Sequence, residues 1–247
     1  MQSPFTNIPP VVKNLLIINI LCFLVSLYFS HNFADPNFDP IGSLFGVYYF
    51  DSPKFRVWQI ITYMFVHGGW AHIFFNMFAL FSFGPIVEYT MGSKKFFNFY
   101  FICGIGAIAF QMLIQGFEMH YYIGTFTLPH DLQQISDPAL IAKLNDPAIA
   151  AKVGAILYRG IVGASGAIFG LLIAFGMLYP NMELMIMFIP VPVKAKYIIP
   201  VYVLAELSLG LGQIAGDNVA HFAHLGGALL GFIMVKVWGL KSKNNFG

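Results

Sequence analysis

Ser165 stands in GIVGASGAIFG, residues 160 to 170, as the one hydroxyl among glycines and aliphatics. Packing alone would explain a small residue there. Membrane helices use Gly, Ala and Ser to let backbones approach, and Gly166 and Gly170 form a G-x-x-x-G pair. The chemical reading needs partners. Serine is a weak nucleophile and requires a base within hydrogen-bond reach, most often a histidine. Two other apolar stretches supply histidines, HGGWAHIFFN (67–76) and NVAHFAHLGGALLG (218–231). His72 and Asn76 are four apart and share one helix face, so both side chains can converge on one oxygen. His224, Gly227 and Gly231, at i, i+3 and i+7, also share a face. A histidine one turn above two glycines can be brought very close to a Gly-rich neighbouring helix. Acyl transfer also needs donors aimed at a developing oxyanion. The N–H groups opening a helix are unpaired and electropositive, and Ser165 falls where those of its helix should lie.

The elements that must position these residues follow from composition. Of 247 residues, 58% are hydrophobic and 10% charged, with a mean hydropathy of +0.73. A soluble domain carries about 25% charged residues; a chain this poor in charge reads as an all-α polytopic membrane protein. A net charge of +2 gives no reason to expect a nucleic-acid partner. Cys22 and Cys103 lie in apolar runs where no disulfide is called for. The first thirty residues lack a small-residue cleavage site and read as an uncleaved span.

Crossing the bilayer takes about 20 apolar residues, and six segments qualify, near 12–31, 68–91, 96–116, 160–179, 196–215 and 219–239. Residues 1–247 thus read as one membrane domain with an outer insertion at 117–158. The DPAL and DPAI echoes at 137–140 and 146–149 read as helix starts with Asp at N-cap and Pro at N1. PAIAAKVGAILY, with Ile149, Val153, Ile156 and Leu157 at helical spacing, reads as an interfacial helix. The aromatic-rich stretch 33–57 reads as partly immersed among headgroups.

Placing both termini in the cytoplasm puts Lys13, Lys94, Lys95, Lys194, Lys196, Lys236, Lys241 and Lys243 inside. The remaining basic residues, Lys54, Arg56, Lys143, Lys152 and Arg159, then fall in the two longest outer loops. With that topology the three polar stretches open the second, fourth and sixth spans at their outer ends. Polar side chains at such depth usually face a bundle interior or a water-filled cavity.

The chain resembles the rhomboid family of intramembrane serine proteases. The resemblance rests on H-x-x-x-N in the second core helix (His72, Asn76), G-x-S-G in the fourth (Gly163, Ser165, Gly166) and A-H-x-x-G-x-x-x-G in the sixth (Ala223, His224, Gly227, Gly231). WQIITYMFVH (58–67) and Glu88 with Gly92 add to it. It implies a six-helix bundle with Ser165 as nucleophile and His224 as general base and later acid, a dyad without a carboxylate. It also implies an oxyanion hole from His72, Asn76 and the Ser165 backbone N–H, and a structural Glu88 tying the lower end of the second span to a neighbour. The implied substrates are single-span membrane proteins, cut in or near the transmembrane segment by water from the outer side, with the lipid bilayer as surroundings. No metal or organic cofactor is implied, and the chain's compactness suggests a bacterial cytoplasmic membrane.

Two positions depart from familiar members. Trp58 is followed by Gln59 rather than arginine, the nearest being Arg56. Phe169 stands where a tyrosine often stacks on the base. His221 is a competing base, but H-x-x-G spacing fits His224 alone, and His221 reads as a helix-start residue near the outer surface. His67 reads as a brace, Asp217 as a helix cap, and His31, His120 and His130 as solvated loop residues. Three other classes are a metalloenzyme ligated by His67, His72, His221 and His224, a non-catalytic rhomboid-like client binder, and a transporter. H-E-x-x-H is missing, both Ser165 and His224 are present, and no two-fold repeat is evident.

Overall fold

A computed structural model of the chain describes residues 8–32, 39–129, 135–185, 192–212 and 219–242. Its elements in order are α1 (Pro10–Asn32), α2 (Pro40–Phe45), α3 (Gln59–Thr62), a 3₁₀ turn (Tyr63–Phe65), α4 (Trp70–Met91), α5 (Ser93–Ile123), α6 (Pro138–Leu144), α7 (Pro147–Tyr158), α8 (Ser165–Leu178), the strands β1 (Glu183–Met185) and β2 (Pro192–Lys194), α9 (Ala195–Gly212) and α10 (His221–Val237). By length and composition α1, α4, α5 and α9 can each cross a membrane. Backbone in lipid must satisfy its hydrogen bonds internally, which is why these apolar runs are helical. They are apolar on the outside too. Ile17, Leu21 and Leu24 of α1 and Val201, Leu204 and Leu211 of α9 are exposed, as a lipid-facing surface requires.

The centre is a packing of α5, α8 and α10. Phe99, Tyr100 and Cys103 of α5 meet Leu171, Ala174 and Phe175 of α8, all fully buried. Small residues set the α8–α10 distance. A Cβ on Gly227 would land on the Gly166 carbonyl oxygen, and one on Gly231 would sit 2.5 Å from that of Gly170. Glycines at both positions let the two backbones touch.

At the opposite end from Ser165, Glu88 of α4 is 1% exposed. It accepts from Val12 N at 2.8 Å, Val11 N at 3.1 Å and Ser93 Oγ at 2.7 Å. It thereby pairs unsatisfied donors in the first turn of α1 and ties α4 to the start of α5.

The fourth span differs from expectation. Helix begins at Ser165, and a 14-residue α8 reaches only about 21 Å, less than a hydrocarbon core of about 30 Å. The stretch ahead of it is extended and paired within the protein: Val47 and Ile161 exchange N–H···O bonds of 2.9 and 2.8 Å, and Gly163 N donates to Tyr63 O at 2.9 Å. Irregular backbone at depth is tolerated only when satisfied in this way. The third span also runs on through Ile123, so the outer insertion starts as continuous helix, and His120 lies in α5 rather than in a loop.

Asp137 and Asp146 do cap α6 and α7, each accepting from the first-turn N–H groups. The apolar face of α7, Val153, Ile156 and Leu157, packs with Met119 and Ile123 of α5 and Tyr49 instead of facing lipid alone. Tyr48 and Tyr49 are likewise buried in protein, leaving Leu44 and Phe50 exposed. The short antiparallel β1–β2 pair was not anticipated among elements that are otherwise helical in the described residues. Pro192, which lacks a backbone donor, opens its second strand.

Candidate active site

Ser165 is the first residue of α8. Its helix has Ala164 at the N-cap and no side-chain cap, so the opening N–H groups are left for another acceptor. Gly163 precedes it with φ 122°, a conformation that glycine adopts and L side chains rarely do. A Cβ there would also stand 2.6 Å from His72 Nε2. Tyr63 fastens this turn from behind, since its carbonyl takes the Gly163 N–H while its hydroxyl donates to Gly104 O of α5 at 2.7 Å.

His224, in the first turn of α10, brings Nε2 to 2.8 Å from Ser165 Oγ. Fifty-nine residues separate the two along the chain. Phe169, one turn beyond Ser165, stacks on the His224 ring with centroids 4.4 Å apart and planes 9° from parallel. A phenyl ring therefore supplies the face expected of a tyrosine. The Gln111 side chain accepts from Ala223 N at 3.1 Å, a donor shared with Ala220 O at 2.9 Å, and so ties α5 to the start of α10.

His72 and Asn76 approach from α4. His72 Nδ1 accepts from Gly68 N at 3.4 Å, which leaves Nε2 as the donor nitrogen toward Gly163 and Ser165. Asn76 Nδ2 donates one hydrogen to His72 O at 3.0 Å, and the amide carries a second. Ser165, His72, Asn76 and His224 all line one cavity of about 1230 Å³, together with Phe75, Phe78, Phe83, Leu172 and Ile173.

His67 lies outside this group. It is 2% exposed, edge-on to His72 with centroids 5.0 Å apart. Burial first, and the neighbouring His72 second, push its pKa down to about 3. Gln59, in the place of the familiar arginine, is buried and knits the first outer loop. It accepts from Arg56 N at 2.9 Å and donates to Lys54 O at 3.2 Å and Leu44 O at 3.3 Å.

One ionisable neighbour was not expected from the sequence. Glu206 Oε2, from α9, lies 2.9 Å from His224 Nδ1 and 2.6 Å from His221 Nδ1. The expected pair without a carboxylate has a carboxylate beside it. His221 opens α10 but is 7% exposed and held by Glu206 rather than sitting at the surface. The signal was an ionisable residue in the middle of an apolar span, VLAELSLG, which by default marks function. Among the described residues, Glu206, His221 and His224 have potential ligand atoms within 4.8 Å of one another. The metal set weighed from sequence also needed His67 and His72, which are not in that group. Asp217, His130 and the side chain of His31 lie outside the described residues.

A half-buried hydroxyl, an imidazole at hydrogen-bond distance and a facing set of donors thus meet at one end of a helical membrane bundle. The rhomboid domain model matches residues 54–240, and the chain belongs to the rhomboid family. It is 30% identical over 81% of its length to an uncharacterised mitochondrial rhomboid protein of Schizosaccharomyces pombe, covering 55% of that protein. It is 29% identical to chloroplastic rhomboid-like protein 11 of Arabidopsis thaliana, over 74% of this chain and 53% of the relative. It is also 29% identical to mitochondrial rhomboid protein 1 of Saccharomyces cerevisiae, over 71% and 40% respectively. The chain thus spans about half the length, or less, of the curated relatives it matches. Those names are organellar and lend no support to a bacterial membrane.

Proposed function

We propose that this protein is a serine endopeptidase that cuts membrane proteins in or beside a transmembrane segment. The observation that carries the reading is the 2.8 Å approach of His224 Nε2 to Ser165 Oγ inside a largely apolar cavity. The Ser165 O–H bond breaks as its proton passes to His224 Nε2, and the oxygen adds to the scissile carbonyl carbon. The carbonyl π pair moves onto oxygen, where His72 Nε2–H, an Asn76 N–H and the Ser165 backbone N–H receive it. His224 returns the proton to the leaving nitrogen as the C–N bond breaks, giving an acyl-serine. Water, deprotonated by His224, then releases the acid.

Helices α4, α8 and α10 all begin at the site's end of the bundle, and α1 begins at the Glu88 end. We read the site's end as the outer side and the chain termini as cytoplasmic, following the basic loops. A transmembrane segment is the substrate whose surroundings match the aromatic and aliphatic lining.

Labelling by a serine-reactive fluorophosphonate tests the reading. The intact protein should label and cleave a transmembrane reporter; Ser165→Ala and His224→Ala should insert, fold and do neither. Cleavage retained by Ser165→Ala would end the proposal. Loss of labelling in the intact protein, with client binding kept, would favour a non-catalytic binder.

A further inference from the structure

Three side chains form an unbroken chain of contacts, Ser165 Oγ to His224 Nε2 and His224 Nδ1 to Glu206 Oε2, and His221 Nδ1 meets the same carboxylate oxygen. We propose that Glu206 is a positioning residue for His224, completing a Ser–His–Glu series of contacts in which His221 anchors the carboxylate. This rests on the serine-protease reading above and adds to it a carboxylate that the family resemblance did not imply.

The argument is one of tautomers. A neutral imidazole has one N–H donor and one bare acceptor nitrogen. His224 can take the Ser165 proton only if Nε2 is the bare nitrogen, so Nδ1 must carry the hydrogen. An ionised carboxylate offers acceptors only, and Glu206 Oε2 at 2.9 Å from Nδ1 selects that tautomer and fixes the ring plane. Phe169 holds the same plane from its face. When Nε2 gains the Ser165 proton, the imidazolium pairs with Glu206 where water is scarce. Glu206 orients and neutralises; it takes no proton itself.

His221 makes the arrangement stable. Its Nδ1 lies 2.6 Å from the same Oε2, and its side chain is only 8% exposed, against 14% for Glu206. Two N–H donors on one oxygen hold a side chain that comes from α9, whose outer face is largely exposed. A divalent cation offers a competing reading of the same three side chains. Its ligand atoms would stand about 3.3 Å apart around bonds of about 2.0–2.1 Å, wider than the 2.6 and 2.9 Å observed. A cation on Nδ1 would also leave the hydrogen on Nε2, and His224 would then be no base for Ser165.

The test compares Glu206→Gln, Glu206→Asp and Ser165→Ala in the full chain, reading kcat, KM, Tm and fluorophosphonate labelling rate. Removing the corresponding carboxylate of a fully buried triad costs about 10⁴-fold. Glu206 is partly exposed and His224 keeps its Phe169 stack, so Glu206→Gln should lower kcat about ten- to hundredfold with KM and Tm close to the intact protein. Glu206→Asp, which keeps the charge, should recover part of that loss. Full kcat in Glu206→Gln, with Ser165→Ala inactive, overturns this inference alone; activity in Ser165→Ala overturns the protease reading beneath it. Activity of the intact protein abolished by EDTA and restored by zinc would replace the positioning role with a metal site. A ¹⁵N spectrum of the unmutated protein decides the matter even if the variants misfold: His224 should show a protonated Nδ1, and a protonated Nε2 with bare Nδ1 refutes the proposal.

Discussion

The spacing between α8 and α10 should set the activity, and Gly227 is the place to perturb it. Gly231→Ala adds a carbon 2.5 Å from the Gly170 carbonyl oxygen, and Gly227→Ala adds one still closer to that of Gly166. Carbon packs on such oxygens at about 3.3 Å or more, so the helices must part by about 0.8 Å at Gly231 and further at Gly227. Carried to the site, the same displacement would stretch the 2.8 Å Ser165–His224 contact to about 3.6 Å, which is no longer a hydrogen bond. A misplacement of about 1 Å can cost roughly 100-fold. The added methyl should also cost about 1–3 kcal/mol of stability. Initial rates of fluorophosphonate labelling in micelles, beside a thermal melt, measure both effects without requiring a known substrate. Gly227→Ala should label at about 1% of the normal rate or less. Gly231→Ala, a turn further from His224, should be intermediate. Gly154→Ala, where a Cβ meets nothing within 4 Å, should change neither reading. Gly227→Ala that folds and labels at the full rate would refute the link between helix contact and dyad geometry.

Glu88→Ala should lower Tm, costing about 2–3 kcal/mol, because Val11 N, Val12 N and Ser93 Oγ lose a charged acceptor; a thermal shift assay in detergent checks this, and an unchanged Tm would remove Glu88 from its structural role. Stability should fall as pH drops from about 6.5 toward 3, since the unfolded chain protonates His67 near 6.5 while the folded one resists until about 3. That penalty accrues at about 1.4 kcal/mol per pH unit, and His67→Gln should flatten the Tm-against-pH curve over that window.

The sequence by itself determined the membrane surroundings, most of the helical elements and the short motifs that gather around Ser165. Low charge and long apolar runs leave only helices for the backbone. The four-residue spacing of His72 and Asn76 and the G-x-S-G turn are local patterns that survive any packing. The capping role of Asp137 and Asp146 is equally local. Tertiary structure alone decided that helix starts at Ser165, because the preceding strand is held by Val47 and Tyr63, residues about one hundred positions away. It alone set Tyr48, Tyr49 and α7 against protein instead of lipid, since an apolar face looks the same in sequence whichever it meets. Glu206 shows the limit most sharply. Its carboxylate lies eighteen residues before His224 on a different helix, and no periodicity within either helix states which face turns toward the other. That choice belongs to the packing of α9 on α10, and it is what places a charge beside the histidine.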